Sequence, residues 1–118
     1  MLQATDLTLH YGSSQILHGV SLSAHIGEVT CIMGSNGVGK TSLLKILSGT
    51  HPSSGGSYAL DDRDVTGLRA DQLAHAGVGY VPQGRFICPM LTVRENLETG
   101  FGCLADNQKF IPDEIYDL

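Results

Sequence analysis

The stretch GSNGVGKTSLLKILSG, Gly34 to Gly49, constrains this chain more than any other, because it sets a glycine-rich loop and a Lys-Thr pair directly before an apolar helical pattern. Its first eight residues, Gly34, Ser35, Asn36, Gly37, Val38, Gly39, Lys40 and Thr41, fit G-x-x-x-x-G-K-[ST] at every position. Glycines let successive backbone N–H groups curl inward into a nest that binds an anion. A helix starting at Lys40 brings its positive dipole end to the same place. Lys40 supplies a full charge for β- and γ-phosphates, the Thr41 hydroxyl suits Mg²⁺, and Ser42 is within reach of an α-phosphate oxygen. These residue types in this order predict a site for a nucleoside triphosphate with its Mg²⁺.

The flanking patterns predict an α/β chain. Thr5 to Tyr11 alternates, with Leu7 and Leu9 on one face and Thr8 and His10 on the other, and Ile16 to Ser23 alternates again after a Gly12-Ser13-Ser14 turn. The two read as an antiparallel pair. VTCIM, 29–33, reads as a buried strand feeding the glycine loop. Leu43, Leu44, Ile46 and Leu47 fall at helical spacing, and Gly49 supplies the left-handed stop. SYAL before DDRD reads as a strand and tight turn, Ala70 to His75 as a helix, and GVGYVP as a strand ended by Pro82. Thr92 and Glu95 have capping-box spacing ahead of a short helix closed by Gly100. Pro112-Asp113-Glu114 suits another first helical turn.

Composition removes several classes of function. With 118 residues the chain is one domain at most. Only seven Lys and Arg are present, no two adjacent, against a net charge of −5, so no nucleic-acid footprint is expected. No apolar run approaches the roughly 20 residues of a membrane span, and MLQATDLTLHYG lacks the pattern of a signal peptide, which places the chain in the cytosol. Cys31, Cys88 and Cys103 form no C-x-x-C pair and read as structural thiols, and the five histidines show no i, i+4 pair for a metal. A small GTPase needs N-K-x-D to read its base, and Asn107-Gln108-Lys109-Phe110 does not supply it. A nucleotide kinase needs clustered arginines, whereas Arg63, Arg69, Arg85 and Arg94 are scattered.

Two further stretches carry a resemblance. Tyr11-Gly12 resembles the aromatic platform for adenine in ATP-binding cassette (ABC) proteins, and GYVPQG, Gly79 to Gly84, resembles their Q-loop, with LDDRDVTGL between. IGEVTCIMGSNGVGKT, VPQGR, TVRENLETG and the closing IYDL are similar to the ATPase subunits of branched-chain amino-acid and urea importers, the urea branch above all. Ser35 stands where that branch commonly has an arginine, and Phe86 where it has a glutamate. The resemblance implies a P-loop NTPase fold with an N-terminal antiparallel β subdomain and ATP and Mg²⁺ as cofactors. It implies Gln83 as the catalytic and metal-contacting glutamine, alongside Thr41. It also implies a second ATPase subunit, identical or different, and transmembrane permease subunits at the inner face of the plasma membrane, with a periplasmic solute-binding protein engaged indirectly.

The remaining parts of that machinery are missing from the sequence. There is no LSGGQ signature loop, since Leu47-Ser48-Gly49 is a helix stop. There is no apolar strand ending in Asp-Glu. Leu60-Asp61-Asp62 belongs to the antiparallel part, and Asp113-Glu114 follows a proline. No histidine lies beyond Gln83 to act as a switch. Residues 1–118 are therefore expected to be the N-terminal portion of a nucleotide-binding domain, stopping at the start of the helical subdomain, able to bind ATP but not to hydrolyse it. The edges of VTCIM would then lack their usual partner strands. The alternative is a naturally short, non-hydrolysing nucleotide-binding or regulatory P-loop module.

Overall fold

Alternation at the N-terminus becomes a hairpin of two long strands in the computed structural model, which describes residues 1–34, 39–84 and 87–117. β1 (Leu2–Tyr11) pairs antiparallel with β2 (Ser14–Ala24) and, on its other edge, with β3 (Gly55–Leu60), which in turn pairs with β4 (Arg63–Asp64). The sheet order is β2-β1-β3-β4. Leu7 and Leu9 are buried while His10 is exposed, as the alternation requires. Ala4 is also buried, although a period of two would put it on the face opposite Leu7. A bulge resolves this: the register shifts between Ala4 and Leu7, and Asp6 sits at φ 51.

The chain divides into two compact units, Met1–Leu73 and Ala74–Leu118. In the first, Leu7, Leu9 and Leu17 of the sheet, Leu43, Ile46 and Leu47 of α1 (Lys40–Leu47), Tyr58 of β3, Val65 and Leu73 are all buried. The Tyr58 hydroxyl donates to the Leu47 carbonyl at 2.9 Å, tying the sheet to an orphan acceptor at the end of α1, and burial raises the Tyr58 pKa. α1 ends as its sequence predicts. Gly49 takes φ 80 and its N–H closes on Ile46 O at 3.0 Å. A Cβ there would sit 2.7 Å from the Ala70 backbone nitrogen, so this glycine also lets α2 (Ala70–His75) approach.

The second unit has no fully buried residue among those described. Its best-defined element is α3 (Val93–Glu98), followed by three single-turn helical segments, Thr99–Cys103, Asp106–Gln108 and Asp113–Asp117. The capping box forms as expected: Glu95 N–H donates to Thr92 Oγ1 at 3.1 Å and Thr92 N–H to Glu95 Oε1 at 3.3 Å. Asn96 adds a clamp, accepting from Cys88 N–H at 2.8 Å and donating to the Thr92 carbonyl at 2.9 Å. Thr92→Ala is expected to destabilise the chain by about 1 kcal/mol, the usual worth of an N-cap hydroxyl. Thr92→Ser should be nearly neutral. Urea unfolding of the three forms checks this, and an unchanged midpoint for Thr92→Ala would show that the box contributes nothing.

Two expected strands do not form. VTCIM belongs to no ladder among the described residues, and Val29 and Met33 are about nine-tenths exposed, at 94% and 88%. GVGYVP is likewise outside the sheet, with Val81 exposed. An apolar β-branched run becomes a strand only where neighbours satisfy its N–H and C=O groups. The expectation of a buried strand at VTCIM is therefore not met. The cysteines differ from expectation too. Cys31, Cys88 and Cys103 are free but exposed, because they lie on segments outside the sheet and its core.

Candidate functional site

The described residues of the G-x-x-x-x-G-K-T motif meet at the start of α1. Gly39, its N-cap, takes φ 94, and a Cβ there would come within 2.8 Å of Leu17 Cδ2 on β2. Only glycine lets the loop enter the helix this close to the sheet. The first intrahelical bond runs from Leu43 N–H to Gly39 O at 2.8 Å. No side chain caps the first turn and no acidic residue lies in it. The early N–H groups thus keep their capacity for an anion, and the dipole is unopposed by a local carboxylate.

Lys40 folds back so that its ammonium donates to the Gly34 carbonyl at the far end of the motif. A positive charge is thereby held at the Gly34 carbonyl. Thr41 is exposed and Ser42 half-buried at the head of the same helix. Ser35, Asn36, Gly37 and Val38, the rest of the predicted cradle, lie outside the described residues.

Tyr11 ends β1 and is 42% exposed. Its ring meets that of His51 edge to face, with centroids 5.0 Å apart and planes at 89°. Sequence reasoning considered His51 only as a metal ligand and missed this contact. Local pattern held no signal of it, because it arises from the loop after α1 returning to β1. Gln83 is exposed and belongs to the second unit. Neither rejected carboxylate pair resembles a catalytic strand end. Asp61 and Asp62 form the β3–β4 turn at φ 46 and φ 64, with Asp61 ion-paired to the Met1 amine, and Asp113-Glu114 opens a short helical turn in the second unit. Among the described residues, no cluster of His, Cys, Asp or Glu is arranged to hold a metal, and no helix is long and apolar enough to cross a membrane.

The four-stranded antiparallel sheet, with α1 opening at Lys40 of the G-x-x-x-x-G-K-T motif, has the ATP-binding cassette fold of the P-loop NTPase class, and solved structures agree. A dimeric bacterial ABC transporter cassette superimposes with a TM-score of 0.76 at 26% identity, over 92% of this chain and 52% of that one. The ADP conformation of another ATP-binding cassette of an ABC transporter gives 0.64 at 31% identity, over 65% of this chain and 30% of that one. The chain belongs to the ABC transporter family, whose model matches residues 17–116. It is 33% identical over its whole length to the high-affinity branched-chain amino acid transport ATP-binding protein BraG of Pseudomonas aeruginosa, covering 51% of that protein. It is 39% identical, over 85% of its length and 38% of the relative, to the hemin import ATP-binding protein HmuV of Rhizobium meliloti. The chain thus spans about half or less of the curated relatives it matches.

Proposed function

We propose that the chain is the N-terminal portion of the nucleotide-binding domain of an ABC importer, and that it binds Mg-ATP. The observation that carries this reading is the start of α1, where an uncapped, acid-free helix end lies beside an ammonium held at Gly34. The donor set suits a triphosphate: the sequence from Gly34 to Gly39 supplies the backbone N–H groups, Lys40 meets the β- and γ-phosphates, and Ser42 meets the α-phosphate. We assign Thr41 to Mg²⁺ and Tyr11 to the adenine, and for Gln83 we carry over the role that the resemblance to ABC proteins implies for a complete domain, contact with Mg²⁺ and with the attacking water. Bound Mg²⁺ would neutralise phosphate charge.

In the whole protein, two such domains, identical or different, work with membrane permease subunits on the cytoplasmic side and, through them, with a periplasmic solute-binding protein. The solute class we assign is branched-chain amino acids or urea. The similarity of this whole chain to about half of BraG favours the former, and TVRENLETG and IYDL favour the latter. The alternative, a short non-hydrolysing module, is separated by the gene beyond Leu118. A frame continuing into LSGGQ and an apolar strand ending in Asp-Glu supports the proposal, and a stop codon supports the module.

Base preference tests the family reading at this site. An aromatic face accepts any purine, and no N-K-x-D element is present to select guanine by hydrogen bonds. ATP and GTP are expected to differ by less than about tenfold in affinity. Competition binding decides this, and a strong GTP preference would contradict the assignment of Tyr11 as the base platform.

A further inference from the structure

His51 is held on several sides beside Tyr11. Its Nδ1 lies 2.9 Å from the Pro52 carbonyl, which can only accept, so Nδ1 carries the proton and the ring is pinned. Its backbone N–H donates to Lys45 O on α1 at 3.2 Å. The same loop is sewn to β1 just before Tyr11: Ser54 N–H donates to Thr8 O at 2.8 Å, and His10 N–H donates to Ser54 Oγ at 3.0 Å. One short loop therefore connects the helix that opens at the phosphate loop with the strand that ends in the aromatic ring.

We propose that His51 is a positioning residue for the nucleotide base, fixing the Tyr11 ring so that an open face receives the adenine of Mg-ATP. The inference rests on the reading of Tyr11 as the base platform. With the two planes at 89°, His51 is not a parallel stacking partner, and at most one face of Tyr11 is taken by an imidazole edge. Beside this contact Tyr11 as a residue remains 42% exposed, which leaves surface for a base. An exposed tyrosine otherwise loses side-chain freedom when a base stacks on it. Fixing the ring beforehand removes that cost and so raises affinity for ligands with a base, but not for bare phosphates.

The test uses the full chain with Mg-ATP and Mg-tripolyphosphate as probes. His51→Asn removes the ring while keeping a donor for Pro52, and His51→Phe restores an aromatic edge. His51→Asn is expected to weaken Mg-ATP about two- to tenfold, the usual cost of immobilising one side chain on binding, and to leave tripolyphosphate unchanged. His51→Phe should recover most of the loss, and His51→Asn should add nothing in a Tyr11→Ala background. Equal weakening of both probes, or an undiminished ATP affinity in His51→Asn where Tyr11→Ala does weaken it, would overturn the role of His51 alone. If Tyr11→Ala leaves ATP affinity intact while Lys40→Ala lowers it, the platform reading itself fails and this inference goes with it.

Discussion

The 118-residue chain is expected to release phosphate from ATP at least about a thousandfold more slowly than one turnover per second, the lower end of the usual enzyme range. Positioning a triphosphate is only part of catalysis. The attacking water needs a carboxylate to orient and polarise it, and the charge developing on the γ-phosphate needs preorganised donors. One such donor is worth about 10²–10³-fold, and a group supplied in trans about 10³–10⁵-fold. The sequence has no signature loop, no apolar strand ending in Asp-Glu and no histidine beyond Gln83. The two carboxylate pairs it does have are placed in a hairpin turn and a short helical turn. A phosphate-release assay on purified chain checks the expectation. Turnover near one per second would mean that catalytic groups lie elsewhere in the chain.

Lys40→Ala is expected to weaken Mg-ATP binding at least about tenfold. A charge-assisted contact contributes about 1.5–3 kcal/mol, and 1.4 kcal/mol is a factor of ten. The fold should tolerate the change, because the Lys40–Gly34 bond is exposed and surface substitutions usually fall within about 0.5 kcal/mol. Affinity and stability are thus expected to separate. Competition against a fluorescent nucleotide analogue, with urea unfolding alongside, measures both. A variant as unstable as it is weak in binding would assign Lys40 a structural role instead.

The sequence was most informative where the determinants are local. Leu7 and Leu9 marked the buried face of β1, Thr92 and Glu95 marked the start of α3, and Gly49 marked the end of α1, each through contacts within a few residues. It misled at VTCIM and GVGYVP, since strand formation depends on distant segments that supply ladder partners, and composition cannot report whether they are there. The bulge at Asp6 was equally hidden, because it shows only when β1 is laid against both neighbours. Near the candidate site, the start of α1 at Lys40 was legible from one motif. The Tyr11–His51 contact was not, being made by the loop between α1 and β3, which bonds back to β1.

The most direct test of the central claim is a calorimetric titration of Mg-ATP into the unaltered chain, with folding verified by circular dichroism. A site at the head of α1 predicts saturable binding at one nucleotide per chain, displaced by excess Mg-tripolyphosphate because the phosphates carry most of the grip. A folded chain that gives no saturable heat, or whose bound ATP is untouched by tripolyphosphate, would contradict it.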